Sequence, residues 1–264
     1  MDTLVFKVVV SPLLIQAASL AGRRWGPAVG GWFVGLPLTS GPVAFFLAVD
    51  QGTGFAATAA LGSLAGTAAQ AGFCLAYGFA ARRHSWPAAF SAGTVAFAAV
   101  ALLLEAAGRP LWLLLLIVEA SLTAALLLTP RQSSGLPVAA PPRWDIPARM
   151  VVATVLVLVL TSAAPLLGAR LAGLFATFPV FAAVLAVFAH LAQGSAAAQR
   201  VLRGLLLGLF AFSGFFLVIA LTIERIGIAA SFALASFVAG TIQVSTLRII
   251  SGSRSSGRCR TGCG

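Results

Sequence analysis

The chain contains nine apolar stretches of about 20 residues, each bounded by charged or turn-forming residues. A helix needs about 20 apolar residues to cross a hydrocarbon layer of about 30 Å. A membrane β-barrel would need segments of about ten residues that alternate polar and apolar, whereas these stretches are apolar on every face. We therefore predict an all-α polytopic membrane protein. The nine predicted spans are 3–21, 28–49, 54–80, 87–107, 111–129, 149–166, 171–192, 197–221 and 228–249.

Composition excludes a soluble globular protein. Of the 264 residues, 60% are hydrophobic and 9% are charged, and the mean hydropathy is +1.02. A water-soluble core could not absorb that much apolar side chain, so the expected partner is the lipid bilayer.

The first half of the chain repeats in the second half, displaced by 142 positions and without a gap. Pro37 aligns with Pro179, and the dipeptide Gln-Gly at 51–52 aligns with Gln-Gly at 193–194. Chance matching of apolar residues does not explain prolines and glycines that fall in phase, so we interpret the repeat as a duplication. Further matched pairs are Gly31 with Gly173, Phe33 with Phe175, Gly62 with Gly204, Gly66 with Gly208, Phe90 with Phe232 and Arg83 with Arg225.

Five spans separate equivalent positions, and an odd number means that the second copy enters the membrane from the opposite side. The sequence therefore predicts an inverted 4+1+4 repeat. Its parts are a first membrane repeat at 1–107, an inverting fifth helix at 108–129, a cytoplasmic linker at 130–148, a second repeat at 149–250 and a disordered tail at 251–264.

The first stretch also imitates a secretory signal peptide, because Lys7 precedes an apolar run that ends in small residues. Residues 3–21 correspond to 145–163 inside the chain, where no cleaved signal can lie. We expect a retained helix.

Basic residues predict the orientation, since cytoplasmic loops of bacterial membrane proteins accumulate Lys and Arg. When alternate loops are assigned to two sides, thirteen of the 17 basic residues fall on one side. We predict a bacterial inner-membrane protein with the N-terminus outside and the C-terminus inside, and we read the net charge of +11 as a topology signal, not as a nucleic-acid footprint. The thirteen are Arg23, Arg24, Arg82, Arg83, Arg131, Arg143, Arg149, Arg200, Arg203, Arg248, Arg254, Arg258 and Arg260.

Prolines lie midway along the second and seventh predicted spans. Pro37, within "GLPLTSGP", and Pro179 each remove an amide donor and free carbonyls that lipid cannot satisfy. Broken helices at corresponding positions of inverted halves indicate a midplane binding site. The alternative is that both prolines only kink their helices for packing and bind no solute. The candidate substrate-binding residues are Pro37, Thr39, Ser40, Thr177 and Pro179.

Glycines mark turns and close helix packing. "QGT" at 51–53 and "QGS" at 193–195 predict hairpin turns, in which glycine ends one helix and Thr53 or Ser195 caps the next. The GxxxG spacing predicts that the third span packs against the eighth through Gly62, Gly66, Gly204 and Gly208.

Glu119 lies in the middle of the fifth predicted span, where an unpaired acid costs about 2.5 to 3.5 kcal/mol. We expect it to face the bundle and name it as the candidate coupling residue, although it lies outside the repeat. His190 is expected at the inner interface, and Cys259 and Cys263 have no acidic or histidine partner nearby. We expect no metal and no cofactor.

The segment "GGWFVGLPLTSGPVAFFLAVDQG" resembles the signature of small four-helix bacterial membrane proteins, the GlpM-like and related families of uncharacterised function. "AGLFATFPVFAAVLAVFAHLAQG" is similar to a second copy of it, but lacks the Thr39-Ser40-Gly41-Pro42 cluster. The resemblance implies a fused pair of units that would otherwise form antiparallel dimers, with an asymmetric site. It implies no substrate.

The sequence favours a small secondary transporter or facilitator that alternates access around the two breaks, with a small solute as its further partner. A non-transporting accessory or scaffold subunit is the alternative, and would explain the scarcity of buried charge. An enzyme is not expected, because no span pairs a nucleophile with a base and no HExxH motif occurs. Substrate, coupling ion and oligomeric state are left open.

Overall fold

The computed structural model of the chain describes residues 3–38, 40–106, 110–129, 144–159 and 177–258. These residues form ten helices and no strand, which confirms the all-α class. The helices are α1 (Thr3–Trp25), α2 (Pro27–Val34), α3 (Ser40–Gln51), α4 (Thr53–Ala80), α5 (Trp86–Ala106), α6 (Leu111–Leu128), α7 (145–159), α8 (Val180–Gln193), α9 (Ser195–Ile226) and α10 (Ile228–Arg258).

Five of these helices are long and apolar enough to cross a membrane: α4, α5, α6, α9 and α10. α4 and α9 bury more than half of the residues in their most apolar windows, whereas α5, α6 and α10 bury about a fifth. α4 and α9 therefore form the centre of the bundle, and the other three expose broad apolar faces.

The predicted second span, 28–49, consists of two helices, α2 and α3, on either side of the predicted break at Pro37. Two other element boundaries differ from the sequence prediction. α7 begins at 145, inside the predicted linker, because Asp145 and Pro147 are both favourable in the first turn of a helix. α10 continues through Arg258, so residues 251–258 of the predicted disordered tail are helical, since extending an existing helix needs no new nucleus.

α4 and α9 run antiparallel. A Cβ on Gly54, near the start of α4, would lie 3.4 Å from Glu224 Oε1, near the end of α9. At the other end, Gln199 Nε2 near the start of α9 donates to the Gly78 carbonyl near the end of α4, at 3.1 Å. Each helix follows a glycine at positive φ, 88° at Gly52 and 80° at Gly194.

These two glycines confirm the predicted hairpin turns and correct the predicted caps. Gly52 and Gly194 are themselves the N-cap residues of α4 and α9, and neither makes a side-chain capping bond. Thr53 and Ser195 are the first helical residues instead. The positive φ requires glycine at the cap, which moves the hydroxyl residue one position into the helix.

The hairpins α4–α5 and α9–α10 pack through contacts that recur 142 positions apart. A Cβ on Gly72 would meet Val100 and Ala96, and a Cβ on Gly214 would meet Ile242 and Val238, the residues at the corresponding positions. Edge-to-face ring pairs recur in the same way, Phe73 with Phe90 at 6.3 Å between centroids and Phe215 with Phe232 at 5.9 Å.

Basic side chains gather at one end of the bundle. Arg203, near the start of α9, donates to the Leu126 and Thr129 carbonyls at the end of α6, whose last carbonyls have no partner within the helix. Arg23 at the end of α1 and Arg149 in α7 share the buried carboxylate of Asp145, with N to O distances of 3.1 and 3.0 Å. These contacts join the start of α9 to the end of α6, and the end of α1 to α7.

Candidate functional site

The first helix break lies between α2 and α3 and is closed around Pro37. The Leu38 amide donates to the Leu36 carbonyl at 2.8 Å, which makes a three-residue turn with proline at its centre. The Gly41 amide then donates to the Pro37 carbonyl at 2.8 Å and begins α3. The backbone thus turns and resumes a helix within five residues.

The second break, before α8, has the same closure at the equivalent positions. The Val180 amide donates to the Phe178 carbonyl at 2.8 Å, and the Ala183 amide donates to the Pro179 carbonyl at 2.8 Å. Pro179 has φ −79° and ψ 60°, the dihedrals of an inverse γ-turn. The described chain on this side begins at residue 177, so residues 171–176 of the predicted seventh span lie outside the described residues.

Each break packs against a glycine in the middle of a central helix. A Cβ on Gly35 would lie 2.6 Å from the Gly208 Cα in α9. A Cβ on Gly66 in α4 would lie 2.5 Å from the Thr177 Cβ. The two contacts join corresponding residues, since Gly35 aligns with Thr177 and Gly66 aligns with Gly208. The first break therefore lies beside the middle of α9, and the second break lies beside the middle of α4.

The glycine packing differs from the predicted GxxxG pairing. Gly204 and Gly208 face α2, not α4, and a Cβ on Gly204 would overlap the Ala28 carbonyl oxygen. A Cβ on Gly31 would in turn overlap the Val201 carbonyl oxygen. Among the described residues, no atom lies within 4 Å of a Cβ placed on Gly62.

The missed signal was a second GxxxG, "GWFVG" at 31–35, which supplies the face that meets α9. Two such faces fit each other because both helices lack side chains where their backbones approach. Of the four predicted packing glycines, Gly204 and Gly208 lie at a close contact between helices, and Gly66 lies against Thr177 in the turn before α8.

The other candidate substrate residues lie around these turns. Pro37 and Ser40 are partly exposed, as is Thr177, and Thr39 lies outside the described residues. Phe178 packs its ring against Phe73 at 5.8 Å and against Phe97 at 5.3 Å between centroids. The second break is thus held in an aromatic cluster.

Glu119 faces the bundle, as predicted, and its partner is Ser213. The Ser213 hydroxyl lies 2.8 Å from Glu119 Oε1 and 3.0 Å from the Phe210 carbonyl oxygen. Ser213 is 1% exposed and lies five residues beyond Gly208 on α9. A serine inside a long apolar helix is the sequence feature that could have indicated this contact, but a serine is not ionisable and was not among the predicted site residues.

A second polar group joins α2 to α10. Trp32 Nε1 donates to Thr246 Oγ1 at 3.1 Å, and Gln243 Nε2 donates to the Trp32 carbonyl at 3.2 Å. The Gln243 Oε1 atom is buried and has no hydrogen-bond partner among the described residues. An open cavity of about 300 Å³ lies beside it, lined by Phe210, Thr241, Ile242, Ser245 and Thr246.

His190 lies near the end of α8 and pairs with a buried tyrosine. The Tyr77 hydroxyl is 3.2 Å from His190 Nδ1, and the tyrosine is fully buried. In the part of the chain that the structure describes, no three His, Cys, Asp or Glu side chains cluster as metal ligands would. Cys259 and Cys263 lie outside that part.

No protein-family model matches the chain, and no curated protein or solved structure matches it either. The arrangement itself offers turned backbone at two breaks, a few hydroxyl groups and one carboxylate. These groups can coordinate a small polar solute or carry a proton, but they do not form a nucleophile with a base.

Proposed function

We propose that the chain is an integral membrane protein of the bacterial inner membrane that acts as a small secondary transporter or facilitator. In this proposal two inverted four-helix copies, joined by α6, hold a small solute at the two broken helices. No covalent chemistry takes place.

The inverted arrangement is supported by the direction of the equivalent central helices. α4 aligns with α9 in the sequence repeat, yet Gly54 lies at Glu224 and Gln199 lies at Gly78, so the two helices run in opposite directions. Contacts between the copies are also reciprocal, Gly35 with Gly208 and Gly66 with Thr177. Reciprocal contacts are what a two-fold axis produces. An axis perpendicular to spanning helices lies in the membrane plane.

One observation carries the proposed site: the same inverse γ-turn closes both breaks at repeat-equivalent prolines, midway along the central helices. Each break uncouples backbone groups from a helix at a depth where lipid offers no partner. Transporters with inverted repeats place substrate sites at discontinuous helices of this kind. Glu119, held by Ser213 five residues beyond Gly208 on α9, is the proposed proton-coupling group.

A non-transporting accessory or scaffold protein is the second candidate, and one observation favours it. α2 and α9 approach until Cβ atoms on Gly31 and Gly204 would overlap the opposite backbone. Such close helix packing is compatible with a rigid interface that does not move, as a scaffold protein would need, as well as with a hinge.

Thiol accessibility separates the two candidates. Single cysteines would replace Leu36, Leu38 and Phe178 in a background without Cys74, Cys259 and Cys263, and intact membranes would be treated with a charged, membrane-impermeant thiol reagent. A solute pathway predicts reaction at Leu36→Cys and Phe178→Cys from at least one side. Uniform protection at all three positions would support the rigid interface.

Two matched controls calibrate that assay. Val95→Cys lies on the exposed face of α5, 68% exposed in the bundle, and should stay unreactive if that face meets lipid. His84→Cys, in the loop after α4, should react fully. Epitope tags at Met1 and Gly264 test the inversion, which requires the two ends on opposite sides.

A further inference from the structure

A groove lined by basic residues lies at the end of α4, apart from the broken helices. We name it the basic groove: Arg82, Arg83 and His84 form its mouth, and Phe79, Ala88 and Ala92 form its apolar wall. Its volume is about 650 Å³. The connection between α4 and α5 and the first turns of α5 thus enclose a space with a cationic and an apolar side.

Backbone hydrogen bonds fix the course of this loop, and a ring contact places one of its side chains. The Ala81 amide donates to the Tyr77 carbonyl at 2.9 Å, and the Arg83 and His84 amides both donate to the Ala80 carbonyl. The Arg82 guanidinium stacks on the Phe79 ring, 4.7 Å from its centroid. This stacking places the charge over the apolar wall.

Within the described residues, no carboxylate lies at salt-bridge distance from Arg82 or Arg83, whereas Arg23 and Arg149 share Asp145. Since two adjacent guanidinium groups repel each other, an anion that bridges them would be stabilised. The start of α5 adds the positive end of a helix of 21 residues to the same mouth.

The groove lies at the depth of lipid phosphates if Gly66 lies near the bilayer centre. Ala80 is fourteen residues beyond Gly66 on α4, which is about 21 Å along the helix axis. The hydrocarbon half-thickness is about 15 Å, and headgroups extend to about 20 to 22 Å from the centre. Phe79 and Trp86 are 46% and 37% exposed there, as expected for aromatic residues at the interface.

The apolar wall continues from the mouth along α5. Ala88 and Ala92 are one turn apart on the same face of that helix, and both small side chains line the groove. An anion with an attached hydrocarbon chain matches both parts of the groove. A free anion would use the mouth alone.

We propose that the basic groove binds the phosphate headgroup of an anionic phospholipid, with the start of one acyl chain along Ala88 and Ala92. Arg82 and Arg83 bind the phosphate oxygens, and His84 donates to the headgroup. The inference rests on the membrane location in the proposed function but not on transport.

Lipid binding to the purified full-length chain in detergent tests this proposal. Dioleoyl phosphatidylglycerol and dioleoyl phosphatidylcholine would be titrated, and bound lipid would be counted by native mass spectrometry. We expect a saturable phosphatidylglycerol site that phosphatidylcholine does not fill. Removing both charges in Arg82→Ala/Arg83→Ala should weaken it about 30-fold, since each Lys or Arg near an anionic surface contributes about fivefold.

A control variant with the same loss of charge is Arg24→Ala/Arg248→Ala, which removes two exposed arginines at the same end of the bundle. It should keep the phosphatidylglycerol affinity within about twofold. Ala88→Trp fills the apolar wall while all charges stay, and it should also weaken binding. Monodisperse elution and unchanged helical circular dichroism would establish that each variant is folded.

Three outcomes would overturn the proposal. Equal filling by the two lipids would remove the charge recognition. Equal losses in the two double variants would assign binding to general surface charge. Displacement of phosphatidylglycerol by millimolar inorganic phosphate, with no effect of Ala88→Trp, would identify a free-anion site. The lipid-binding assay does not measure solute flux, so its result would stand even if the chain transported nothing.

Discussion

Gly35 and Gly208 meet backbone to backbone, at the point where the second apolar stretch breaks. A Cβ on Gly35 would lie 2.6 Å from the Gly208 Cα, and a Cβ on Gly208 would lie 2.6 Å from the Trp32 carbonyl oxygen. Backbone atoms cannot yield as a flexible side chain can. The position of the first break against α9 therefore depends on the absence of a side chain at both residues.

Alanine at either glycine should destabilise the folded chain. We expect Gly35→Ala and Gly208→Ala each to lower the free energy of unfolding by about 1 to 3 kcal/mol through overpacking. The measurement is thermal or denaturant unfolding in detergent. Gly62→Ala is the matched control on α4, and it should be neutral or slightly stabilising because alanine favours a helix. Equal effects at the three sites would contradict the assigned contact.

The equivalent contact in the second half can be tested by rescue. A Cβ on Gly66 would meet the Thr177 side chain at 2.5 Å, so Gly66→Ala should destabilise the wild-type chain. Combining it with Thr177→Gly removes the atoms that the alanine methyl would overlap. We expect a coupling of about 1 to 2 kcal/mol in the double-mutant cycle. Strict additivity would show that the two residues do not meet.

Asp145 should be the most sensitive charged residue among those described. It is 3% exposed and holds Arg149, itself 8% exposed, whose guanidinium also lies 5.2 Å from the Phe188 ring centroid. Asp145→Asn would leave that guanidinium buried without a counterion, so we expect a loss of about 3 kcal/mol or more in unfolding free energy.

Arg23→Ala provides the comparison for Asp145. The Arg23 side chain is 35% exposed, so its pairing with Asp145 is screened by water and should contribute about 1 kcal/mol or less. Similar losses for Asp145→Asn and Arg23→Ala would show that Asp145 acts mainly through its exposed partner and not through the buried one.

The helical class, the turns at Gly52 and Gly194 and the break at Pro37 all followed from the sequence. Each depends on local chemistry: apolar length, positive φ at glycine, and the missing amide of proline. The partner of Gly204 did not follow, because a GxxxG face shows that a helix can be approached but not which helix approaches it. The uniformly apolar spans gave no polar face that could orient them.

The sequence predicted the residues of the candidate site but not the hydrogen-bonded turns that they form. Pro37 and Pro179 were identified from the repeat, whereas the inverse γ-turns depend on φ and ψ, which the residue types alone do not determine. Ser213 was missed because a serine in a helix is usually satisfied by its own backbone, and Ser213 does bond the Phe210 carbonyl. Its second contact, to Glu119, exists only because α6 packs on α9.

Glu119 is the last and most direct test of the proposed transport mechanism. Its carboxylate accepts from Ser213 at 2.8 Å, midway along α6, so a change of its protonation would alter a contact between α6 and α9. Glu119→Gln keeps an oxygen that Ser213 can bond but cannot exchange a proton. We expect the variant to fold and to lose the pH dependence of solute flux into proteoliposomes.

The control for this prediction is Glu105→Gln, which neutralises an exposed carboxylate near the end of α5 and should leave the pH profile unchanged. Ser213→Ala should keep the pH dependence of flux, because the hydroxyl bonds the carboxylate but is not itself the proton carrier. If Glu119→Gln retained the full wild-type pH profile, Glu119 would have no part in coupling. The hydrogen bond between Ser213 and Glu119 would then have a structural role and join α6 to the bundle. Such a bond is needed because Glu119 lies in an apolar span, where an acid without a hydrogen-bond partner is costly.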